Sequence, residues 1–156
     1  MTIEWGRAVQ ENKKEILDAW MERSLHLFSG KMAAVSPVAE ALSQALGMVL
    51  DHCEKNSESL TGALVQLSRI LAVQDMPPSR TMSLFFELKK IMTDLFLKSA
   101  HKQSLTQLDL DALQSRLEEL TLQAFDSYMM QRERICQLKL DENKRMLFMQ
   151  LRRAEA

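Results

Sequence analysis

The side chains in this chain with chemistry to offer are three histidines, two cysteines and two adjacent pairs of acids, and none stands at a spacing that uses it. His26, His52 and His101 each lack a second His, Cys or carboxylate at a metal-motif interval, and His52 beside Cys53 on a helix points the two in different directions. A haem needs a proximal histidine, for which His52 and His101 are the nominees. His52 falls near a helix end and His101 in a polar junction, where capping and surface histidines are commoner than ligands. Cys53 and Cys136 match no CxxC pattern and read as two reduced thiols in a reducing compartment. Glu118-Glu119 and Asp141-Glu142 are neighbours on a charged helix, the pattern of a solvated face. With no Gly-rich phosphate loop, nucleophile elbow or H-E-x-x-H, the expectation is a protein that is not an enzyme and takes no metal and no cofactor.

The elements that carry these residues read as helices throughout. Ile16, Leu17, Trp20, Met21, Leu25 and Phe28 recur at three- and four-residue steps and predict one helix from about Ile3 to Phe28, ended by Gly30, with Gly6 offsetting its first turn. Ser36-Pro37 sets a capping residue before Pro at the first helical position and predicts a second helix to about Cys53. Its buried face is Leu42, Ala45, Leu46, Val49 and Leu50. A third helix follows from about Ser59 to Val73. Pro77-Pro78 then makes a rigid corner, because each proline fixes φ and bars the residue before it from the helix. The fourth helix starts at Ser79 and is the most apolar, with Leu84, Phe85, Leu88, Ile91, Met92, Leu95 and Phe96. Polar residues from Lys98 to Gln103 close it.

From Thr106 onward neither Gly nor Pro occurs. Leu110, Leu113, Leu117, Leu120 and Ala124 keep a helical stripe that continues less cleanly through Tyr128, Ile135, Leu138, Met146 and Met149, with Glu142 and Arg145 interrupting it. A continuous helix over roughly 105–153 is about 70 Å long at 1.5 Å per residue, against a radius of gyration of about 15 Å for a domain of this size. It overshoots its own domain, unless it bends back near Asp141-Glu142-Asn143; the absence of Gly, Pro or a loop cluster favours projection or a gentle kink.

Charge divides that helix. Thr106 to Tyr128 carries five acids and one base, Arg116, whereas Gln131 to Ala156 carries seven bases and four acids. The macrodipole accounts for such a bias only in the end turns; antiparallel pairing of two copies sets acidic halves against basic halves. Eleven methionines exceed what the length requires, and Met129-Met130 on this helix are the pair placed to meet a partner.

For the whole chain, 156 residues make one domain, 1–156, able to bury a core without staples. Twenty basic and twenty-one acidic residues argue against a dedicated nucleic-acid or acidic-membrane binder. The polar N-terminus MTIEWGRAVQENKKE lacks a signal peptide's apolar run, and no segment approaches the ~20 apolar residues that span a bilayer, so a cytoplasmic location without membrane insertion is expected.

The string Arg69-Ile70-Leu71-Ala72-Val73-Gln74-Asp75-Met76-Pro77-Pro78-Ser79, leading into Leu88-Lys89-Lys90, resembles the N-terminal domain of RsbT co-antagonist proteins of the RsbRD type. So do Asn12 to Trp20, Ala124-Phe125-Asp126-Ser127-Tyr128, Arg132-Glu133-Arg134 and Asn143-Lys144-Arg145, so that the resemblance covers nearly the whole chain. It implies a helical, dimeric, globin-like input domain that holds no haem and feeds stress signals into a signalling complex. In the better-known relatives the last helix hands the signal to a STAS domain with phosphorylatable threonines; such a domain is missing from this sequence, so sensing or docking is what carries over. The resemblance also implies an architectural or ligand role for Arg69, Gln74, Asp75 and Pro78, with Asp75 capping the helix after the prolines and Arg69 and Gln74 bonding across the corner.

The expectation is therefore an all-α bundle of about five helices with a long last helix. It is a regulatory domain that pairs with itself and docks a protein of a signalling or redox complex through Tyr128, Met129, Ile135, Leu138, Met146 and Met149. The alternative is a small-ligand sensor, with an apolar effector, haem among the candidates, held between its first, second and fourth helices.

Overall fold

A computed structural model of the chain describes residues 5–28, 36–99 and 106–156. Six helices account for almost all of them: α1 (Trp5–Glu11), α2 (Lys13–Leu27), α3 (Pro37–His52), α4 (Glu58–Ala72), α5 (Pro78–Ser99) and α6 (Gln107–Glu155). No strand occurs among the described residues. The chain is an all-α bundle with a long C-terminal helix, and the one expected N-terminal helix is two. The break falls at Asn12, whose φ of −110° and ψ of 15° leave the helical region. Its side-chain amide donates to the Ala8 carbonyl at 2.8 Å, the local competition that makes Asn a poor helix-interior residue. Ile3 and Gly30, the expected limits of that helix, lie outside the described residues.

Helix starts follow their capping chemistry. The Ser36 hydroxyl accepts the Ala39 N–H at 3.1 Å ahead of Pro37, and the Ser57 hydroxyl accepts the Leu60 N–H at 3.1 Å. At the proline corner the Pro77 carbonyl accepts from the Arg80 and Thr81 N–H groups, and Gln74 donates back to the Ile70 carbonyl at 3.2 Å to close the end of α4. The expected Asp75 cap is not formed: its side chain is exposed, and the missing N–H of each proline leaves the first turn with fewer donors to satisfy. Nor do Arg69 and Gln74 bond across the corner, because Gln74 is spent on Ile70.

The apolar stripes of all six helices meet in one core. Trp20, the largest wholly buried side chain, joins α2 to α5: its indole N–H donates to the Leu84 carbonyl at 2.8 Å and its ring meets Phe85 edge-on at 6.0 Å. Arg23 and Glu87 extend the same seam with an ion pair at 2.8 Å. Burial raises the Glu87 carboxyl's pKa, but the Arg23 hydrogen bond and the Lys90 charge together outweigh it and hold the group below its ordinary 4.5. Gly6 lies beside the end of α3, where a Cβ would meet only the flexible carboxylate end of the Glu54 side chain. The interior that the alternative reading assigns to a ligand is filled by Trp20, Leu46, Leu84, Phe85 and Leu88, all buried. The groove between α2 and α5, lined by Ile16, Ala19, Ile91 and Leu95, measures about 160 Å³.

Candidate functional site

α6 is where the fold and the expected site meet. It begins with the Asp109 carboxylate accepting the Thr106 N–H at 2.8 Å, then runs without a break for 49 residues, about 74 Å at 1.5 Å per residue. The helix is not interrupted at Asp141-Glu142-Asn143. Its most extensive packing is against α4, then α5.

Two arginines on α6 tie it down, each on the carbonyl end of another helix. Arg116 donates to the Cys53 carbonyl at the end of α3 (2.8 Å) and to the Asn56 side chain (2.9 Å), and pairs with Glu119 (3.2 Å). Gln123 and Glu119 complete the cluster by bonding Asn56 at 2.8 and 3.2 Å. Sixteen residues further on, Arg132 donates to the Ala72 carbonyl at the end of α4 at 2.9 Å. The last carbonyls of a helix carry its negative pole, so a guanidinium satisfies both the orphan acceptor and the dipole. Cys53 lies beneath the first tie. Burial pushes its thiol up to about 11 although Arg116 pulls the other way, so this cysteine is inert at neutral pH.

Along the body α6 buries Leu113, Leu117, Leu120, Ala124 and Tyr128. At 100° per residue these positions and Ile135, Leu138, Met146 and Met149 share one arc of about 80°. The core-facing face of α6 therefore continues beyond the body. What changes is the cover. Ile135 still packs partly on the core, while every residue from Cys136 to Ala156 is exposed. Leu138 is 62% exposed and Met149 51%. Seven large apolar side chains on this free segment are more than half exposed, a density that marks an interaction surface rather than scattered surface residues.

The expected contact residues thus divide. Leu138, Met146 and Met149 are available, and Met129 and Ile135 are half-buried at the edge of the body. Tyr128 is wholly buried in the chain's own core and out of reach of a second chain. Its hydroxyl has no hydrogen-bond partner among the described residues, a cost of about 1–3 kcal/mol. Of the corner residues, Arg69 lines an open cleft of about 300 Å³ with Val73, Gln131, Arg134 and Ile135, at the point where α6 leaves the body; Asp75 and Pro78 are exposed. His26 and His52 are exposed and His101 lies outside the described residues. Among the described residues no three His, Cys, Asp or Glu side chains cluster as a metal site, and no helix is long and apolar enough to cross a membrane.

Sequence reasoning missed the two ties, although Arg116 was visible as the one base among five acids. It also missed a second apolar stripe, Leu122, Phe125, Met129, Cys136, Leu140, Leu147 and Leu151, about 140° round the helix from the first at 100° per residue.

Residues 14–142 match the RsbT co-antagonist protein RsbRD N-terminal domain, a span that takes in α2 from its second residue, all of α3 to α5, and α6 past the second tie. The chain belongs to the RsbRD N-terminal domain family. A relative from Archaeoglobus fulgidus, described as an uncharacterized protein, is 30% identical over 137 residues, 85% of each chain. No solved structure matches. RsbRD N-terminal domains are regulatory signalling domains, not a known enzyme family. The family match stops at residue 142, inside the free segment, so five of the seven exposed large apolar side chains there, Met146, Leu147, Phe148, Met149 and Leu151, lie beyond the matched span.

Proposed function

We propose that this chain is a non-catalytic regulatory domain of the cytoplasm that reports a stress signal by holding out the far end of α6 to a protein of a signalling complex, and that it works as a homodimer. The observation that carries this reading is the core face of α6 continuing uncovered from Ile135 through Leu138, Met146 and Met149. A helix whose apolar stripe is covered by its own body for half its length and bare for the rest is built to receive another apolar surface. Membership in a signalling family supports the regulatory part. The two arginine ties supply the coupling: α6 is fastened to the ends of α3 and α4, so a shift at either end moves the free segment as a rigid lever.

The test is affinity capture from the native cell with three baits: the full chain, the chain cut after Ile135, and Leu138→Glu/Met149→Glu. The reading expects partners on the first bait to vanish from the other two, both of which keep their helical spectra. The same partners on all three baits would reject α6 as the docking element.

A further inference from the structure

The second apolar stripe of α6 has an order that the first lacks. Phe125, Cys136 and Leu147 stand eleven residues apart, as do Met129, Leu140 and Leu151, and the remaining place in the repeat holds Leu122, Glu133 and Lys144. An eleven-residue period is 3.67 residues per turn, so the stripe stays on one side of a nearly straight helix. It is bare along the body as well as beyond it except at Met129, which is half-buried against the core: Leu122 is 68% exposed, and Phe125, Cys136, Leu140, Leu147 and Leu151 are all exposed. All of it but Met129 faces away from the body, which leaves the stripe open to a long partner helix.

We propose that the occupant of this stripe is the same stripe of a second copy, running antiparallel about a dyad near Leu138. This rests on the reading that the chain is a homodimer, and adds which face pairs and in which direction. One register pairs the stripe from Phe125 to Leu151 and leaves Leu122 opposite Ala154. It sets Phe125 against the second copy's Leu151, Met129 against its Leu147 and Cys136 against its Leu140, each with its symmetry mate. The same register brings Glu133 beside Lys144 of the second copy, within one residue and twice over, so the two charges that interrupt the repeat neutralise each other. Parallel pairing in register keeps the apolar layers but stacks Glu133 on Glu133 and Lys144 on Lys144. A parallel shift by eleven residues pairs the charges once and strands a third of the stripe. The first stripe stays free for the partner protein.

Two variants in a Cys136→Ser background test direction, Met129→Cys and Leu147→Cys, treated with a short bismaleimide. Antiparallel pairing brings positions 129 and 147 face to face across the seam and holds each about 27 Å from its own copy along the axis, at 1.5 Å per residue. The mixture should cross-link to dimer and neither variant alone should do so. Efficient cross-linking of each variant alone, or a full chain that sediments as a monomer at tens of micromolar, overturns the proposal. The charges give an independent readout: Glu133→Lys should weaken the dimer at least tenfold and Glu133→Lys/Lys144→Glu should restore it. A dimer indifferent to Glu133→Lys overturns the register. Capture of partners through Leu138 and Met149 is read separately, so either claim can fail without the other.

Discussion

Cutting the chain after Ile135 should leave the body as stable as before, while cutting it only four residues earlier should not. Every side chain from Cys136 onward is exposed, and the last tie between α6 and the body is Arg132 on the Ala72 carbonyl. The first cut therefore removes no buried group, and its effect on the unfolding free energy of the monomer should stay within about 0.5 kcal/mol. The cut after Gln131 removes the guanidinium bond to Ala72, about 1.5–3 kcal/mol for a charged donor, and the packing of half-buried Ile135, about 1 kcal/mol. A loss of about 2–4 kcal/mol follows, or roughly 5–15 °C in Tm for a domain of this size. Thermal unfolding by circular dichroism is the assay, run at sub-micromolar concentration so that self-association adds nothing. At high concentration the full chain alone should gain Tm, since only it retains the whole seam. Equal losses from the two cuts at low concentration would refute the reasoning, because they would mean that the free segment is held by the body after all.

Arg116→Met removes the tie at α3, leaving the Cys53 carbonyl without its donor while Asn56 keeps the bond from Gln123; with Glu119 half-exposed and its pair discounted for solvent, the expected loss is about 1.5–3 kcal/mol in urea unfolding. Glu87 has its pKa lowered in the folded state, so the stability it contributes is complete above the unfolded value of 4.5 and is lost as pH falls through the lower folded value. Glu87→Gln should accordingly be less stable than the parent at pH 7 and converge with it in acid, as read by Tm against pH. In a thiol-labelling experiment at pH 8 on dilute protein, exposed Cys136 should react at the rate of a free thiol and Cys53 only after denaturant is added, because burial holds its thiol near 11. Comparable rates for both cysteines would contradict the packing at the end of α3.

The helices were legible because their signals are local. Ser36-Pro37, the Pro77-Pro78 corner and the three- and four-residue apolar steps each act within a turn or two, and the structure places helix ends within a residue or so of where these put them. Asn12 was not legible as a break, since an Asn in an otherwise regular stripe is tolerated in many helices and only its bond to Ala8 decides the matter. The projection of α6 followed from length and the lack of breakers, a global argument that periodicity alone does not supply. Tyr128 shows where that argument stopped: the stripe it belongs to is continuous, and nothing in the residues marks the point between Tyr128 and Leu138 at which the body ends. That point is fixed by where α4 stops, at Ala72, and by Arg132 reaching it. The ties were hidden for the same reason, because they join residues about sixty positions apart through side-chain-to-backbone bonds that leave no pattern in either segment.

The account turns on α6 beyond Ile135 being an element that is covered only in a complex. Amide hydrogen exchange of the full chain measures this directly, in dilute solution, at high concentration, and with the partner captured from the native cell. Amides of 136–155 should exchange quickly in dilute monomer, as the end of an unsupported helix does. They should slow by tenfold or more on association, while those of α2 to α5 do not change. Protection of 136–155 as strong in dilute monomer as in the body, or no added protection in either complex, would contradict it.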